Sequence, residues 1–293
     1  MNQISLDALN AADETSFIAI LGEVVEHAPW VAAAIYARRP FSSLAALHRS
    51  MVEAIDNAGD DRKLLLIQGH PQLAVKALDT LTADSAAEQG SAGLDRLTEE
   101  EFAEFQKLND AYRSKFGFPF IICVRRHGRD SILRNFRRRL ENDVTAERDT
   151  ALAEIVRIMA LRLDLRVAGP DRLKVQGRLS THVLDTSCGC PAAGVAIELY
   201  EISTSGIARL VTRTTTNADG RTDRPLIGGR PIPIAAYELR FAIGDYFKAR
   251  GAAVSDPPFL DMVPLRFAVS EAEGHYHVPL LVTPWSYATY RGS

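Results

Sequence analysis

The chain has 293 residues, a length that favours two compact domains over one. Its 34 basic and 37 acidic side chains nearly balance and 46% of its residues are hydrophobic, so bulk disorder is excluded and the net charge indicates no particular partner. The first residues lack the basic and apolar regions of a secretory signal, and no segment is apolar enough to span a bilayer. We therefore expect a cytoplasmic protein with no membrane partner.

The first part of the chain, from Ser5 to about Leu165, places its apolar residues at helical spacing. The clearest helix has Phe102, Phe105, Tyr112 and Phe116 along one face. A capping box from Thr98 to Glu101 predicts its start, and Gly117 predicts its end. Two further predicted helices are one that carries Leu152, Ile155, Val156, Met159 and Leu163, and one from Phe17 to Ile35 that Pro29 interrupts. The pattern predicts an all-α helical bundle over residues 1–168.

The period of the apolar residues changes to two after about Gly169, which predicts strands. Alternation is clearest over residues 195–200 and 237–241. Turn sequences separate the predicted strands at residues 188–191, 217–220 and 227–231. We predict a multidomain α and β protein, in which a β-sandwich over residues 169–293 follows the helical domain.

Cysteine is scarce in this chain. Of its three cysteines, Cys188 and Cys190 are separated by a single residue, which fits neither a disulfide framework nor a four-ligand zinc site. We therefore expect reduced thiols and no bound metal.

Histidine and arginine recur in short motifs along the second half. The motifs are LSTHVLD at 179–185, GCPAA at 189–193, TNADGR at 216–221, HYHVPLL at 275–281 and YRGS at 290–293. Together they resemble the 5-hydroxyisourate hydrolases of the transthyretin family over almost the whole domain. The resemblance implies a transthyretin-like sandwich with catalytic residues His182, Arg221, His277 and Ser293, and with Tyr290 and Arg291 in contact with the substrate.

The chemistry of a cyclic amide hydrolase suits these residue types. Histidine can deprotonate water near neutral pH, and the planar fork of Arg221 can hold an anionic, urate-like ring. Taken singly, a strand histidine is more often structural, so the combination carries the prediction. His275 shares a strand face with His277, and we favour His277 because it matches the family position. Transthyretins that only bind ligands lack this histidine set and the final tetrapeptide.

Motifs in the helical half point to a second reaction. They include GEVVE at 22–26, GHPQL at 69–73, EQ at 88–89, KFGFPFI at 115–121 and ALRL at 160–163. They resemble the 2-oxo-4-hydroxy-4-carboxy-5-ureidoimidazoline (OHCU) decarboxylases over nearly the whole half. The resemblance implies His70 and Glu88 as catalytic residues, and the implied substrate-binding residues are Pro71, Gln89, Phe118, Ile121, Ile122 and Arg162.

Decarboxylation of such a ring needs a positioned proton carrier but no metal or organic cofactor. The electron pair left by carbon dioxide can move into the conjugated ring, which is then protonated on one face. We assign the proton transfer to His70 and the carboxylate clamp to Arg162. Glu88 and Gln89 would hold the ureido or ring nitrogens. On its own, His70 before a proline is more often a loop residue.

The two resemblances together imply consecutive reactions, the conversion of 5-hydroxyisourate through OHCU to (S)-allantoin. Two other classes stay open: a transthyretin-like carrier and a nucleic-acid-binding regulator. The second rests on a basic cluster, Arg125, Arg126, Arg129, Arg134, Arg137, Arg138 and Arg139. We interpret the cluster as a solvated helical face and expect no nucleic acid partner. The resemblances imply a homo-oligomer, tetrameric through the C-terminal domain and dimeric through the N-terminal domain.

Overall fold

A computed structural model describes residues 3–75 and 81–292 of the chain. They form two compact units, one built from Met1–Arg125 and Ile132–Val175, the other from Arg126–Ser131 and Gln176–Ser293. No helix in these described ranges is long and apolar enough to cross a membrane.

The predicted helical fold of the first unit is confirmed, apart from one short parallel strand pair. Its helices are α1 Leu6–Ala11, α2 Glu14–Leu21, α3 Pro29–Ile35, α4 Leu44–Asp56, α5 Asp60–Gln68, α6 Ala83–Ser91, α7 Glu99–Phe116, α8 Arg129–Arg139 from Ile132 onwards, and α9 Val144–Arg166. The strand pair joins β1 (Ile4–Ser5) to β2 (Val167–Ala168) and so ties the start of the unit to the end of α9.

Helix α7 begins and ends as its sequence predicts. The Thr98 hydroxyl accepts from the Glu101 amide while the Glu101 carboxylate accepts from the Thr98 amide, which completes the capping box. Gly117 ends the helix in the left-handed region at φ 75°.

The predicted break between the second and third helices is displaced. The sequence placed it at Pro29, but α2 already ends at Leu21 and Pro29 occupies the first turn of α3. Proline has no amide hydrogen to donate, and the first turn is where none is needed. The connection contains His27 at φ 54°, a conformation that non-glycine residues seldom adopt.

Helix α9 runs through the interior of the unit, so its polar side chains need internal partners. Glu147, Glu154, Arg162 and Asp164 on this helix are all buried. Buried charges are stable only when they are paired and hydrogen-bonded. The pairing of these residues organises the site described below.

The prediction that the whole basic cluster is a solvated face is wrong for Arg139. The residue is 2% exposed, and its Nε donates to Glu147 at 2.7 Å. Glu147 also accepts a hydrogen bond from the buried Tyr112 hydroxyl. The sequence hid this inward position because Arg139 directly follows two other arginines, Arg137 and Arg138.

The sandwich unit contains the predicted strands. They are β3 Gly177–Ser180, β4 Val183–Asp185, β5 Cys190–Pro191, β6 Ala196–Ile202, β7 Ala208–Thr215, β8 Ile227–Arg230, β9 Ala236–Ala242, β10 Met262–Ala268, β11 His275–His277, β12 Leu280–Val282 and β13 Tyr287–Thr289. One sheet has the order β10-β9-β6-β7, and the others are β11-β3-β8 and β13-β12-β4-β5. Their inner faces share one apolar core. The short helix α10 (Ile243–Ala249), which follows β9 directly, had no counterpart in the predicted elements.

Two neighbouring extended segments, one from β3 to β4 and the other from β11 to β12, are each interrupted by two residues. β3 and β4 are separated by Thr181 and His182, and their parallel partners β11 and β12 are separated by Val278 and Pro279. Pro279 has no amide hydrogen, so the ladder cannot continue through it. The interruption places His182 beside the end of β11.

Cys188 and Cys190 form a disulfide, so the prediction of reduced thiols is wrong. Gly189 between them adopts φ 68°, and the turn brings the two Cα atoms to 5.4 Å, a separation that a disulfide spans. Potential metal-ligating atoms of Asp185 and both cysteines lie within 4.8 Å of one another, but disulfide sulfurs are not the thiolates that bind metals.

Candidate active sites

The helical unit encloses a small cavity that collects most of its predicted site residues. His70 follows α5, Glu88 and Gln89 lie on α6, and Arg162 lies on α9. The remaining lining residues are Glu26, Pro71, Leu73, Ser85, Phe120, Ile121, Ile122, Val124 and Ile158. Phe118 is not in the lining; its ring is 1% exposed and packs on Tyr112 in the core.

His70 is held with a defined proton arrangement. Its Nδ1 lies 2.9 Å from the Leu66 carbonyl oxygen, and a carbonyl can only accept, so Nδ1 carries the proton. Nε2 of neutral His70 therefore carries no proton, and its lone pair can accept one. Burial, reinforced by the Arg162 charge, lowers the pKa of His70 against the opposing influence of Leu66 and Glu26. The site thus holds a neutral base at physiological pH.

Arg162 is the cation of this cavity, and two carboxylates hold it. Its Nε and Nη2 each donate to Glu88 at 2.8 Å, and Nη2 also donates to Glu26 at 3.0 Å. Its Nη1 makes no hydrogen bond within the described part of the chain. The Nη1 edge is therefore the donor available to a substrate carboxylate.

Glu26 is a site residue that the sequence did not reveal. Its two oxygens accept from the Thr82 and Ser85 hydroxyls, both at 2.6 Å. Burial alone would raise the pKa of Glu26, but these two hydrogen bonds and the Arg162 charge lower it overall. The available signal was that Glu26 directly follows the apolar pair Val24-Val25, because a charge beside buried residues requires a partner.

Gln89 uses both ends of its amide on the backbone that follows His70. Its Oε1 accepts from the Ala74 amide at 3.0 Å, and its Nε2 donates to the Gln72 carbonyl at 3.2 Å. Ala74 has φ 54°, so the segment needs such support. Gln89 positions this segment, and its role in substrate binding stays a prediction.

Two buried charges hold the loop that contributes Ile121 and Ile122 to the cavity lining. Nη1 of Arg139 donates to the Ile121 carbonyl at 2.7 Å, and the Glu154 carboxylate accepts from the Cys123 amide at 2.8 Å. They anchor the backbone on both sides of Ile122. Arg139 and Glu154 were not predicted as site residues, because nothing in the motifs distinguishes them from surface helix charges.

The lowered pKa of His70 predicts the pH dependence of the helical site. A base whose pKa lies below the ordinary 6.5 stays neutral, and so active, until the pH falls through that lower value. We expect a decarboxylation rate that is flat from about pH 8 to about pH 6.5 and declines below it. Initial rates on OHCU across this range measure the profile, and a decline that begins above pH 7 would contradict it.

The sandwich unit brings its two predicted histidines into direct contact. Nδ1 of His182 lies 2.7 Å from Nε2 of His277, and Nδ1 of His277 lies 2.9 Å from the Ser180 hydroxyl. The two rings are nearly parallel, with centroids 4.9 Å apart. His275, on the same strand as His277, is exposed.

Arg221 reaches this pair through a tight turn. Gly220 has φ 67°, and a Cβ there would lie 2.4 Å from the Val183 carbonyl oxygen, so only glycine fits. Arg221 forms a backbone bridge with His182. Its guanidinium is exposed and has no side-chain partner among residues 3–75 and 81–292, which leaves it free for an anion.

Both histidines of the pair are neutral at pH 7. Burial first, and then the Arg221 charge, lowers the pKa of His182. Burial, the neighbouring His182 and Arg221 lower the pKa of His277 in the same way. A neutral pair beside a free cation suits general base attack of water on a carbonyl of an anionic ring.

The C-terminal residues also reach the histidine pair. The Gly292 amide donates to the His277 carbonyl at 2.8 Å, and the Arg291 guanidinium lies 4.7 Å from the centre of the Tyr276 ring. Tyr290 is 56% exposed. Ser293, the remaining predicted catalytic residue, lies outside the described residues.

Gly292 lies so close to His277 that a side chain there should disturb the site. A Cβ would be 2.9 Å from Cδ2 of His277, a separation that forces one of the two to move. For Gly292→Ala we expect a hydrolysis rate lowered about 10-fold or more, because small displacements of a catalytic group are costly. The thermal midpoint should change little, since this segment is largely exposed. An unchanged rate constant would contradict the contact.

Comparisons with known proteins assign each half separately. A sequence model of the OHCU decarboxylase family matches residues 10–164, and one of the HIUase/Transthyretin family matches residues 179–292. The second half is 52% identical over 117 residues to a 5-hydroxyisourate hydrolase from Ralstonia nicotianae, covering 40% of this chain and 99% of that protein. The first half is 39% identical over 163 residues to a 2-oxo-4-hydroxy-4-carboxy-5-ureidoimidazoline decarboxylase from Haloferax volcanii, covering 56% of this chain and 96% of that protein.

One solved structure resembles the chain over both halves. The crystal structure of an (S)-allantoin synthase matches with a TM-score of 0.53 and 34% identity, and the match covers 99% of this chain and 100% of that one. The chain therefore belongs to the OHCU decarboxylase family in its first half and to the HIUase/transthyretin family in its second half.

Proposed function

We propose that this chain catalyses two consecutive steps of urate degradation. The sandwich unit hydrolyses 5-hydroxyisourate to OHCU, and the helical unit decarboxylates OHCU to (S)-allantoin. The observation that carries the proposal is the presence of a separate polar site in each unit of one chain. A relative named (S)-allantoin synthase, similar over 99% of the chain, supports it.

In the sandwich unit, hydrolysis requires a base for water and a cation for the substrate. The His182–His277 pair supplies the base, and the free guanidinium of Arg221 binds an anionic or carbonyl oxygen of the ring. We assign Tyr290, Arg291 and Ser293 to closing the pocket over the substrate. No metal or organic cofactor is needed for this step.

In the helical unit, Nη1 of Arg162 binds the carboxylate that leaves. As the carbon–carbon bond breaks, its electron pair moves into the conjugated ring and carbon dioxide departs. His70 takes the hydroxyl proton at Nε2 and places a proton on the ring carbon from one face, which sets the configuration of the product. The backbone of Ile121 and Ile122, with Pro71, bounds the ring.

A coupled assay tests the two reactions together. Urate oxidase generates 5-hydroxyisourate, the protein is added, and absorbance and circular dichroism are followed at the same time. Faster loss of the first intermediate and faster appearance of chiral allantoin are both expected. Tight binding of 5-hydroxyisourate without turnover would contradict the proposal and favour a carrier.

We also propose that the chain assembles through both units, as a tetramer through the sandwich and a dimer through the helices. Strand β13 lies at a sheet edge and is exposed along its length, and Trp285 beside it is 63% exposed. An exposed edge strand with apolar neighbours is suited to pairing with a second copy. Light scattering measures the mass, and a monomer at micromolar concentration would contradict this assembly.

A cytoplasmic location stays a prediction from the sequence.

A further inference from the structure

The histidine pair of the sandwich unit continues into a third side chain. Ser180, the last residue of β3, places its hydroxyl 2.9 Å from Nδ1 of His277, whose Nε2 lies 2.7 Å from Nδ1 of His182. Both ring nitrogens of His277 are therefore occupied by protein groups. Nε2 of His182 makes no hydrogen bond to any residue that the structure describes, so it is the open nitrogen of the pair.

The chain of hydrogen bonds allows two proton arrangements, because each contact needs one proton. In the first, His182 donates from Nδ1 to His277, His277 donates from Nδ1 to Ser180, and Nε2 of His182 is a bare lone pair. In the second, Ser180 donates to His277, His277 donates to His182, and Nε2 of His182 carries a proton. Only the first arrangement presents a base on the open nitrogen.

We propose that Ser180 is a positioning residue of the hydrolase site, whose hydroxyl accepts from His277 and so selects the arrangement in which Nε2 of His182 is the base. The proposal rests on the hydrolase function proposed above. It assigns distinct roles to the two histidines. His182 contacts the attacking water through Nε2, and His277 hydrogen-bonds to Nδ1 of His182.

The proton moves along this chain during one turnover. Nε2 of His182 takes a proton from water as the bond between the water oxygen and the carbonyl carbon forms. The Nδ1 proton of His182 passes to Nε2 of His277, so the positive charge rests on His277 while its Nδ1 donates to Ser180. When the ring carbon–nitrogen bond breaks, a proton returns by the same route to the leaving nitrogen. One water is consumed and both histidines end as they began.

The groups around His277 disfavour its protonated form, so a hydrogen-bond acceptor beside its ring is important for holding the positive charge. After burial, the groups that lower its pKa are His182, Arg221, His275 and Arg178, all of which are cationic when protonated. They oppose a positive charge on the His277 ring. The Ser180 oxygen favours that charge by accepting a hydrogen bond from the ring.

The neighbouring Thr181 provides a matched control. Its hydroxyl is buried and donates to the Val278 carbonyl at 2.6 Å. It therefore links the β3–β4 segment to the β11–β12 segment, as the Ser180 hydroxyl does. It hydrogen-bonds to neither histidine. Thr181→Val therefore removes a comparable structural hydrogen bond and leaves the proton chain intact.

The test compares Ser180→Ala, Ser180→Thr and Thr181→Val in the full chain, with 5-hydroxyisourate as substrate. Loss of a hydrogen bond to a charged group predicts a kcat about 10- to 100-fold lower for Ser180→Ala, with KM within about twofold. The acidic limb of its pH profile should move to lower pH, because the charged pair loses its acceptor. Ser180→Thr should recover most of the rate, and Thr181→Val should change only the thermal midpoint.

A second measurement does not depend on turnover. Nitrogen NMR of the labelled imidazoles should show His182 and His277 both protonated at Nδ1 in the wild type, and Ser180→Ala should shift His277 towards the Nε2 form. Wild-type kcat in Ser180→Ala, or an equal loss in Thr181→Val, would overturn the proposal. A wild-type chain that does not accelerate hydrolysis would instead overturn the hydrolase function, and the NMR signals would then decide the role of Ser180.

Discussion

Replacing His70 by alanine should stop the second reaction and leave the first intact. His70 supplies the only bare imidazole nitrogen that we find in the described lining of the helical cavity, and general acid–base groups contribute about 100- to 10,000-fold to a rate. In the coupled assay, 5-hydroxyisourate should disappear at the wild-type rate while OHCU accumulates. Allantoin should then form only as fast as it does without enzyme, and as a racemate.

His48 is a suitable control for this substitution. It is a partly buried histidine of the same unit, 3.5 Å from the Val156 carbonyl oxygen, and it does not line the cavity. His48→Ala should keep the wild-type rate of chiral allantoin formation. If His70→Ala also kept that rate, the proton carrier would have to be another group.

The second large effect is expected at His182. Alanine at this position removes the open nitrogen of the pair, so hydrolysis should slow by about 100- to 10,000-fold, whereas decarboxylation of added OHCU should be unchanged. His277→Ala should also slow hydrolysis, though less. Nε2 of His182 would remain, and only the hydrogen bond between His182 and His277 would be lost. Stopped-flow absorbance of freshly generated 5-hydroxyisourate measures both variants.

His275→Ala distinguishes catalysis from a general effect on strand β11. This histidine shares the strand with His277 but is exposed, and its ring makes no hydrogen bond to a residue that the structure describes. Its replacement should leave the hydrolysis rate within about twofold of wild type. A loss equal to that of His277→Ala would mean that the strand, and not the histidine pair, limits the rate.

Sequence patterns predicted the elements of both halves where local signals act alone. The capping box at Thr98 and the glycine stop at Gly117 depend on neighbouring residues, and the alternation over residues 237–241 reflects a strand that buries its apolar residues 237, 239 and 241. The break before α3 was misplaced because Pro29 is compatible with both the middle of a bend and the start of a helix. Which applies depends on the packing of residues distant in sequence.

The site was predictable to the extent that its residues lie in recognisable motifs. His70, Glu88 and Arg162 were named from motifs, and the structure brings them to one cavity. Glu26 and Ser180 were missed because their importance lies in a contact across the fold: Glu26 meets Arg162 136 residues away, and Ser180 meets His277 97 residues away. A single sequence shows which residues are unusual for their surroundings, but not which of them meet.

The ion pairs of Arg162 have a consequence for product release. Glu26 and Glu88 hold only Nε and Nη2, so a substrate carboxylate can bind the Nη1 edge while both internal pairs stay in place. The incoming carboxylate is thus held by the one edge that the described part of the chain leaves unpaired. Once carbon dioxide has left, the product has no carboxylate for that edge to hold. Arg162 would then discriminate substrate from product by the very group that the reaction removes, and allantoin should be a weak inhibitor.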